Sequence, residues 1–209
     1  MARAPIFVLE GAWDKTHENP QILPYLNAYE QSHGEAVIRH RTFRNVEDIE
    51  YYVSRIPKNS RSFLYFACHG EEGYLIPSDG RSKIPMENIL AAIEMAKDES
   101  VAFVHFGCCA FVRSSNRRAT LSKLLGAFNG RWVSGYSRDI DWLASTFLDL
   151  ALISEVYVPW YKSDGRRVTQ KTKVFFEYYE QLSRSLGLSA IYAVQKEERL
   201  FPLRLIGEE

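Results

Sequence analysis

The sequence predicts an α/β fold, a three-layer α/β/α sandwich built on a mostly parallel central sheet. Short apolar runs alternate along the chain with segments of helical periodicity, which is the order that βαβ units produce. Two of these runs, 62–68 and 101–106, are apolar at nearly every position, as expected for central strands that helices cover on both faces. The 209 residues are enough for a sizeable core, and we expect residues 1–209 to form a single domain.

Local patterns place the elements of the first part of the chain. The strand segments are short apolar or alternating runs, and the helical segments have apolar residues one turn apart. Asn45 is a residue type that caps helices, and Pro24 lies near a helix start, where proline is tolerated. The predicted elements are strand 6–11, helix 21–31, strand 35–43, helix 46–55 and strand 62–68.

The rest of the chain continues this alternation after a small hairpin. Asp79-Gly80 is a favourable hairpin turn, and Pro85 is tolerated at the first position of a helix. Either Asp139 or Asp141 caps a later helix. The predicted elements are hairpin 74–84, helix 85–97, strand 101–106, an exposed segment 112–116, helix 119–128, strand 131–136, a helix ending at 153, a polar loop 160–172, helix 174–186 and a last strand 200–206.

Composition narrows the classes of function. Basic and acidic residues number 26 each, so the formal net charge is zero, which argues against a broad nucleic-acid-binding surface. No apolar run approaches the roughly 18 residues that cross a bilayer, and residues 1–9 lack the pattern of a signal peptide. We therefore expect a cytoplasmic protein that binds neither nucleic acid nor membranes.

Cysteine usage agrees with a reducing compartment. The chain has three cysteines, Cys68, Cys108 and Cys109. Adjacent cysteines bridge only with strain, so this set is not a disulfide framework. The sequence contains no CxxC pair and no repeated Cys/His spacing, and we expect no metal and no other cofactor.

Reactive side chains follow the two central apolar runs. His69 comes directly after strand 62–68, and Cys108 and Cys109 follow strand 101–106. The ends of adjacent parallel strands lie about 5 Å apart, so a thiol and an imidazole placed there converge on one cleft. Such a pair suits nucleophilic catalysis, because cysteine attacks as its thiolate and needs a base to take the proton. A capping or core histidine is an equally good interpretation of His69.

The residues around this pair have their own expected roles. Gly70 has no Cβ, so its backbone can approach a substrate, and the Cys109 amide is a second candidate donor to an oxyanion. Alternation along a strand points Cys108 and Cys109 to opposite faces, so at most one of them reaches the cleft. His105 lies about 13 Å back along the strand from Cys109, too far for a base, and we expect a core histidine. Cys68 is expected to be a packed strand residue.

The two strand ends match the motifs of a known family in order and spacing. The first reads Cys68-His69-Gly70-Glu71-Glu72-Gly73-Tyr74-Leu75 and is similar to the Ser-His-Gly-Glu-Glu-Gly stretch of many caspases. Residues 103–109 resemble the apolar strand and Ala-Cys of the caspase-like cysteine peptidases, the group that contains caspases, metacaspases, separase and CHAT-domain proteins. Cys108 takes the alanine position, so the resemblance selects Cys109 as the nucleophile. The separation of about 40 residues is close to the caspase spacing.

The resemblance covers roughly residues 6–150 and carries expectations with it. The chain has Gly107-Cys108-Cys109-Ala110-Phe111 in place of the pentapeptide around the caspase cysteine, so a bacterial CHAT-like relative is the better match. The resemblance implies a caspase-like fold and a Cys109–His69 dyad that cleaves peptide bonds in a protein or peptide substrate. A role in bacterial defence is implied at the level of the family only.

Substrate preference is predicted from the loop that follows strand 131–136. In the family, this strand end lines the pocket for the residue before the scissile bond. Asp139 and Asp141 would bind a basic side chain through charge-assisted hydrogen bonds, whereas Arg138 would bind an acidic one. Helix capping is an equally good role for either aspartate. Cleavage after a basic residue is the preferred prediction.

Two other functions compete with the peptidase. The first is a non-catalytic caspase-like scaffold or regulatory module that binds a protein partner. A redox or small-molecule enzyme ranks last, because the chain has neither a GxGxxG after its first strand nor a P-loop lysine motif. Arg166-Arg167 would suit self-processing at a basic site, but a solvated surface pair is the better interpretation.

Overall fold

The structure, a computed structural model, describes residues 2–13, 21–96, 100–163 and 168–193. Its strands are β1 (Ala4–Glu10), β2 (Ala36–Thr42), β3 (Ser62–Ala67), β4 (Gly70–Glu71), β5 (Tyr74–Leu75), β6 (Ile84–Pro85), β7 (Val101–Gly107), β8 (Trp132–Tyr136) and β9 (Leu188–Tyr192). Six strands form a central sheet in the order β2-β1-β3-β7-β8-β9. Its neighbours are parallel except β8 and β9, which are antiparallel. The predicted α/β class with a mostly parallel sheet is confirmed.

Helices cover both faces of this sheet. They are α1 (Leu23–His33), α2 (Val46–Val53), α3 (Met86–Glu94), α4 (Arg117–Ala127), α5 (Trp142–Leu152), α6 (Val158–Lys162), α7 (Val168–Tyr178) and α8 (Glu180–Leu186), with a π-helical turn, Ile153–Tyr157, between α5 and α6. One layer contains α1 and α5–α8, and the other contains α2, α3 and α4. The arrangement is a three-layer sandwich. No helix in the described ranges is long and apolar enough to cross a membrane.

The central strands are apolar on both faces because each face packs against a helical layer. In β3, Phe63 and Tyr65 belong to the core on the α1/α5 side, whereas Leu64 and Phe66 belong to the core on the α2–α4 side. Every residue of β3 and of β7 is buried. The two-sided apolar pattern in the sequence therefore identified the middle of the sheet correctly.

A hydrogen-bonded polar network lies inside the core on the α1/α5 side. The Asp149 carboxyl group accepts hydrogen bonds from the Tyr65 and Tyr136 hydroxyls, both 2.5 Å away. His105 Nε2 lies 2.7 Å from Asp149 Oδ1, and its Nδ1 lies 2.7 Å from the Ser134 hydroxyl. Burial, together with the charge of Asp149, raises the pKa of both tyrosines well above the ordinary value. The expected assignment of His105 to the core is confirmed.

Several elements differ from the sequence predictions. The predicted polar loop 160–172 is wrong at both ends, where α6 and α7 lie, because Trp160 is buried and packs 4.8 Å from Phe103 between ring centroids. The segment predicted as one helix, 174–186, is divided between α7 and α8. Val112 was expected to be exposed, but it is fully buried in the core on the α2–α4 side, and its N–H donates to the Tyr136 carbonyl at the end of β8.

The last strand of the sheet was also misplaced. The predicted strand 200–206 lies outside the described residues, as does Arg166-Arg167. The sheet instead ends in β9, which follows α8 after Gly187 in the left-handed conformation, φ 67°. The segment 188–192 was not predicted as a strand, and its antiparallel pairing with β8 defines it.

Candidate active site

The predicted site residues lie at the carboxyl edge of the two central strands. β3 and β7 are hydrogen-bonded neighbours, and Ala67 pairs with Gly107 at their ends. His69 and Cys109 each lie two residues beyond this pair. The expected adjacency of the two strand ends is therefore confirmed, with a strand spacing of about 5 Å.

The two preceding cysteines show which face each side chain occupies. The sulfur atoms of Cys68 and Cys108 lie 3.2 Å apart, and both residues are fully buried in the core on the α2–α4 side. Alternation continued past the strand ends predicts the opposite, α1/α5 side for His69 and Cys109. Cys109 contacts Ile140, which packs against the core of that side. Cys108 is therefore enclosed in the core on the α2–α4 side, and Cys109 is the half-buried thiol of the pair.

Gly70 brings the two strand ends into backbone contact. A Cβ added at this position would lie 2.6 Å from the Cys109 carbonyl oxygen and 2.9 Å from the Cys108 Cβ. It would also lie 3.4 Å from the Cys109 nitrogen. Any larger residue would push the Cys109 main chain away. The close approach at Gly70 is thus made to the Cys109 backbone, and the approach of Gly70 to a substrate stays a prediction.

The chain turns sharply after Cys109 and is held there by three backbone hydrogen bonds. Ala110 has a φ of 51°, in the left-handed region that is unfavourable for alanine. Its N–H donates to the Arg138 carbonyl at 2.8 Å, and the Val112 N–H donates to Tyr136 at 3.2 Å. The Phe111 carbonyl accepts a 3.2 Å hydrogen bond from the Gly73 N–H. The turn that presents Cys109 is thus tied to β8 on one side and to the hairpin after His69 on the other.

His69 is fixed through its main chain, whereas its ring is not. Its N–H donates to the Ala12 carbonyl at 2.6 Å, and its carbonyl accepts from the Ile76 N–H at 3.0 Å. Among the described residues, the half-buried imidazole has no hydrogen-bond partner, Cys109 included. The backbone of His69 is therefore fixed at the strand edge by two hydrogen bonds, while the ring makes none among the described residues.

The environment of Cys109 favours the neutral thiol. Its sulfur lies 3.9 Å from the Ile140 carbonyl oxygen, which accepts the S–H. Burial raises the pKa of the Cys109 thiol, and the nearby carboxylate of Asp139 raises it further. A nucleophilic role for this cysteine therefore requires a base in the reacting complex.

The residues predicted to bind substrate follow β8 directly, in the loop that contacts Cys109. Asp141 is the N-cap of α5 and accepts a 2.8 Å hydrogen bond from the Ala144 N–H. Asp139 forms a 3.3 Å ion pair with Arg113, yet its side chain is 84% exposed. The side chain of Arg138 is exposed, and its carbonyl holds the turn after Cys109. Of the two aspartates, Asp141 is thus the one that caps the helix.

An aromatic cluster beside the site did not emerge from the sequence. The ring of Trp142 lies 6.1 Å from that of Trp13 and 5.5 Å from that of Tyr25. Trp13 follows Ala12, which holds the His69 backbone, and Trp142 follows the cap of α5. The Trp142 Nε1 atom is buried and has no hydrogen-bond partner in the described ranges. The cluster is an apolar wall with one available donor, and its only sequence signal was two tryptophans in segments flanking the predicted strand ends.

A buried carboxylate positions this wall. Glu10, at the end of β1, accepts hydrogen bonds from Trp13 Nε1 at 2.9 Å and from the Ile22 N–H at 2.8 Å. Its second oxygen lies 2.5 Å from His40 Nε2. Glu10 thereby joins the loop after β1 to the start of α1, and no pattern in the sequence distinguishes it from an ordinary strand-end residue.

Iodoacetamide should modify Cys109 alone in the folded protein, because Cys68 and Cys108 are fully buried. The thiolate is the form that attacks iodoacetamide. Because the pKa of Cys109 is raised, the curve of alkylation rate against pH should have its inflection at a higher pH than that of a free cysteine. Asp139→Asn should move that inflection to lower pH, since it removes a charge that disfavours the thiolate. The change should be small, because the Asp139 side chain is exposed and screened. Alkylation rates measured by peptide mass spectrometry across pH check both statements.

Asp141→Asn is the matched control for this experiment. Asparagine caps a helix as well as aspartate does, so the fold is kept while one nearby charge is lost. The inflection should stay close to that of the wild type. An inflection below that of free cysteine, or modification of Cys108 in the native state, would contradict the environment described for these thiols.

Among the described residues, no group of three or more His, Cys, Asp or Glu side chains is arranged to hold a metal ion. The resemblance to caspase-like peptidases rests on the two strand-end motifs. These motifs lie at the carboxyl ends of β3 and β7. Neither a protein-family model nor a curated protein gives a significant match to this chain.

Proposed function

We propose that this chain is a cysteine endopeptidase of the caspase-like superfamily, closest in type to CHAT-like domains, with Cys109 as nucleophile and His69 as base. One observation carries the proposal: β3 and β7 are neighbours, and His69 and Cys109 each follow their paired ends by two residues. Active sites of parallel α/β sheets lie at this edge. A cytoplasmic location and a role in bacterial defence belong to the same proposal.

The reaction proceeds by acyl transfer through the Cys109 sulfur. His69 takes the thiol proton as sulfur bonds to the substrate carbonyl carbon, and the carbonyl π electrons move to oxygen. The backbone N–H groups of Gly70 and Cys109 stabilise that oxyanion. The C–N bond then breaks, and His69 returns the proton to the leaving amine. Water activated by His69 hydrolyses the thioester and restores the thiol.

A basic residue before the scissile bond suits the loop beside Cys109. The Asp139 carboxylate is mostly exposed, so its ion pair with Arg113 is screened by solvent and a substrate cation can compete for it. Asp141 keeps one carboxylate oxygen free of its capping hydrogen bond. The exposed Arg138 is the group that would favour an acidic residue instead. The Trp13–Trp142 wall supplies apolar contact for neighbouring substrate residues.

Peptides that differ only in the residue before the scissile bond test this assignment. The purified chain should cleave peptides with Arg or Lys at that position faster than the matched Asp peptide. Asp139→Asn should lower kcat/KM for the basic peptides. It should leave kcat/KM unchanged for a peptide with a neutral residue before the scissile bond. Faster cleavage of the Asp peptide would assign the pocket to Arg138. Failure to cleave any peptide, together with failure to react with a peptidyl electrophile, would contradict the peptidase itself.

A second function is favoured by the unjoined dyad. The His69 ring is not hydrogen-bonded to Cys109, and the pKa of the Cys109 thiol is raised. Both features suit a non-catalytic caspase-like module that binds a regulatory protein partner at the same edge. The peptidyl electrophile separates the two functions. A peptidase should react with it at Cys109 faster than with iodoacetamide, whereas a binding module should not.

A further inference from the structure

A second cavity lies on the opposite face of the sheet from His69 and Cys109. Its volume is about 400 Å³, and its floor is formed by Phe7, Leu9 and Leu64 of β1 and β3. The helix α2 forms one wall and β2 the other. A cavity of this size falls in the range of small-molecule sites.

In the part of the chain that the structure describes, α2 is the only helix that borders this cavity. The helix α2 buries Ile49 and Val53 in the core, and Ile56 follows them. At the edge strand β2, the positions that face this layer are Arg39 and Arg41, whose side chains are exposed. Long cationic side chains thus stand where a further helix would otherwise pack.

Among the described residues, three arginines and no carboxylate line this cavity. Arg39 and Arg41 border it from β2, and Arg55 borders it just after the end of α2. Within the described ranges, none of the three guanidinium groups has a carboxylate partner, whereas the nearby Arg44 is paired with Asp48. Because the whole chain has no net charge, this is a local excess of positive charge.

Two of the guanidinium groups are already held against aromatic rings. Arg55 lies 3.9 Å from the centre of the Tyr51 ring, and Arg39 lies 5.2 Å from that of Phe7. Stacked arginines lose less freedom when they bind an anion. Tyr51 and Tyr52 also give the wall flat apolar surface, suited to a planar ring.

The edge of β2 is poorly suited to the alternative occupant, an added peptide strand. The Ile38 N–H donates to Glu30 at 3.4 Å, and the His40 carbonyl accepts from Arg41 at 2.7 Å. These contacts occupy polar groups that strand addition would need. The geometry points to a small anionic ligand with a planar ring and a phosphate group, of the nucleoside monophosphate class, bound by Arg39, Arg41 and Arg55.

Calorimetric titration of the full chain with AMP, GMP, CMP and UMP, each with its nucleoside, tests this site. At least one monophosphate should bind, and both its nucleoside and inorganic phosphate should bind at least about tenfold more weakly, since the site uses ring and anion together. The Arg39→Ala/Arg41→Ala double variant should weaken binding at least about tenfold. Arg118→Ala, a change of an exposed arginine on α4, is the matched control and should bind as the wild type does.

Several results would overturn the assignment. These are no binding by any of the four monophosphates, equal binding by the double variant, or equal binding by inorganic phosphate alone. Displacement of the nucleotide by an acidic peptide of higher affinity would assign the cavity to a protein partner instead. The double variant changes only exposed side chains, and an unchanged melting temperature verifies that it is folded. Since this cavity lies across the sheet, none of these outcomes depends on the proposed peptidase.

Discussion

Cys109→Ala is expected to abolish peptide hydrolysis, lowering kcat/KM at least about 1000-fold on the best basic peptide. No other side chain can form the thioester, because Cys68 and Cys108 are fully buried and face the opposite core. The same variant should lose the covalent adduct with a peptidyl electrophile. Steady-state kinetics and intact-protein mass spectrometry measure the two effects. Activity that survives in Cys109→Ala would eliminate the proposed nucleophile.

Cys108→Ala is the matched control, since it removes the adjacent thiol without touching the cleft. Its activity should stay within a few-fold of the wild type, although the lost contact with Cys68 should lower stability. His69→Ala should lose peptide hydrolysis as Cys109→Ala does, because no base then takes the thiol proton. Full activity in His69→Ala would assign the base to another group.

Asp149→Asn is expected to lower the free energy of unfolding by about 3–5 kcal/mol. The Asp149 carboxyl group is buried and accepts hydrogen bonds from two tyrosine hydroxyls. It also lies within hydrogen-bond distance of a histidine nitrogen. An amide keeps the shape but replaces one acceptor with a donor, so at least one of Tyr65, Tyr136 and His105 loses its partner. Chemical denaturation at neutral pH measures the change.

Tyr65→Phe is the graded control for this network. It removes one donor and leaves the carboxyl group its other partners, so the cost should be smaller, about 1–3 kcal/mol. A loss under 1 kcal/mol in Asp149→Asn would show that the network does not hold α5 against β7 and β8. The network also lies beneath the strand end that leads to Cys109, because a Cβ added at Gly107 would lie 2.7 Å from Asp149 Oδ2. Loss of the network should therefore disturb the site as well as the fold.

The candidate pair could be predicted because its signals are local. Two apolar runs each end at a reactive residue, and parallel strands of an α/β sheet present their carboxyl ends at one edge. The choice of Cys109 over Cys108 follows from alternation and from the family motif, and the Cys68–Cys108 contact agrees with it. The cap at Asp141 was predicted only as one of two choices, since either aspartate has a suitable spacing.

The residues that sequence patterns missed depend on partners far along the chain. Asp149 reads as one polar residue in an apolar helix until the fold brings it to His105, which is 44 residues away. The aromatic wall joins Trp13 to Trp142, and the three-arginine cavity joins β2 to the end of α2. Each of these contacts is made by helix and sheet packing, for which no local periodicity exists.

The sequence by itself determined the α/β class, the two central strands, and the placement of His69 and Cys109 just past their ends. Burial and side-chain alternation are properties of consecutive residues, so a pattern along the chain records them. Only the tertiary structure decided that β9 completes the sheet, that Asp141 is the cap, and that the half-buried Cys109 thiol has a raised pKa and no hydrogen bond to His69. These are results of packing between distant segments, where desolvation and hydrogen-bond partners are set by the fold as a whole.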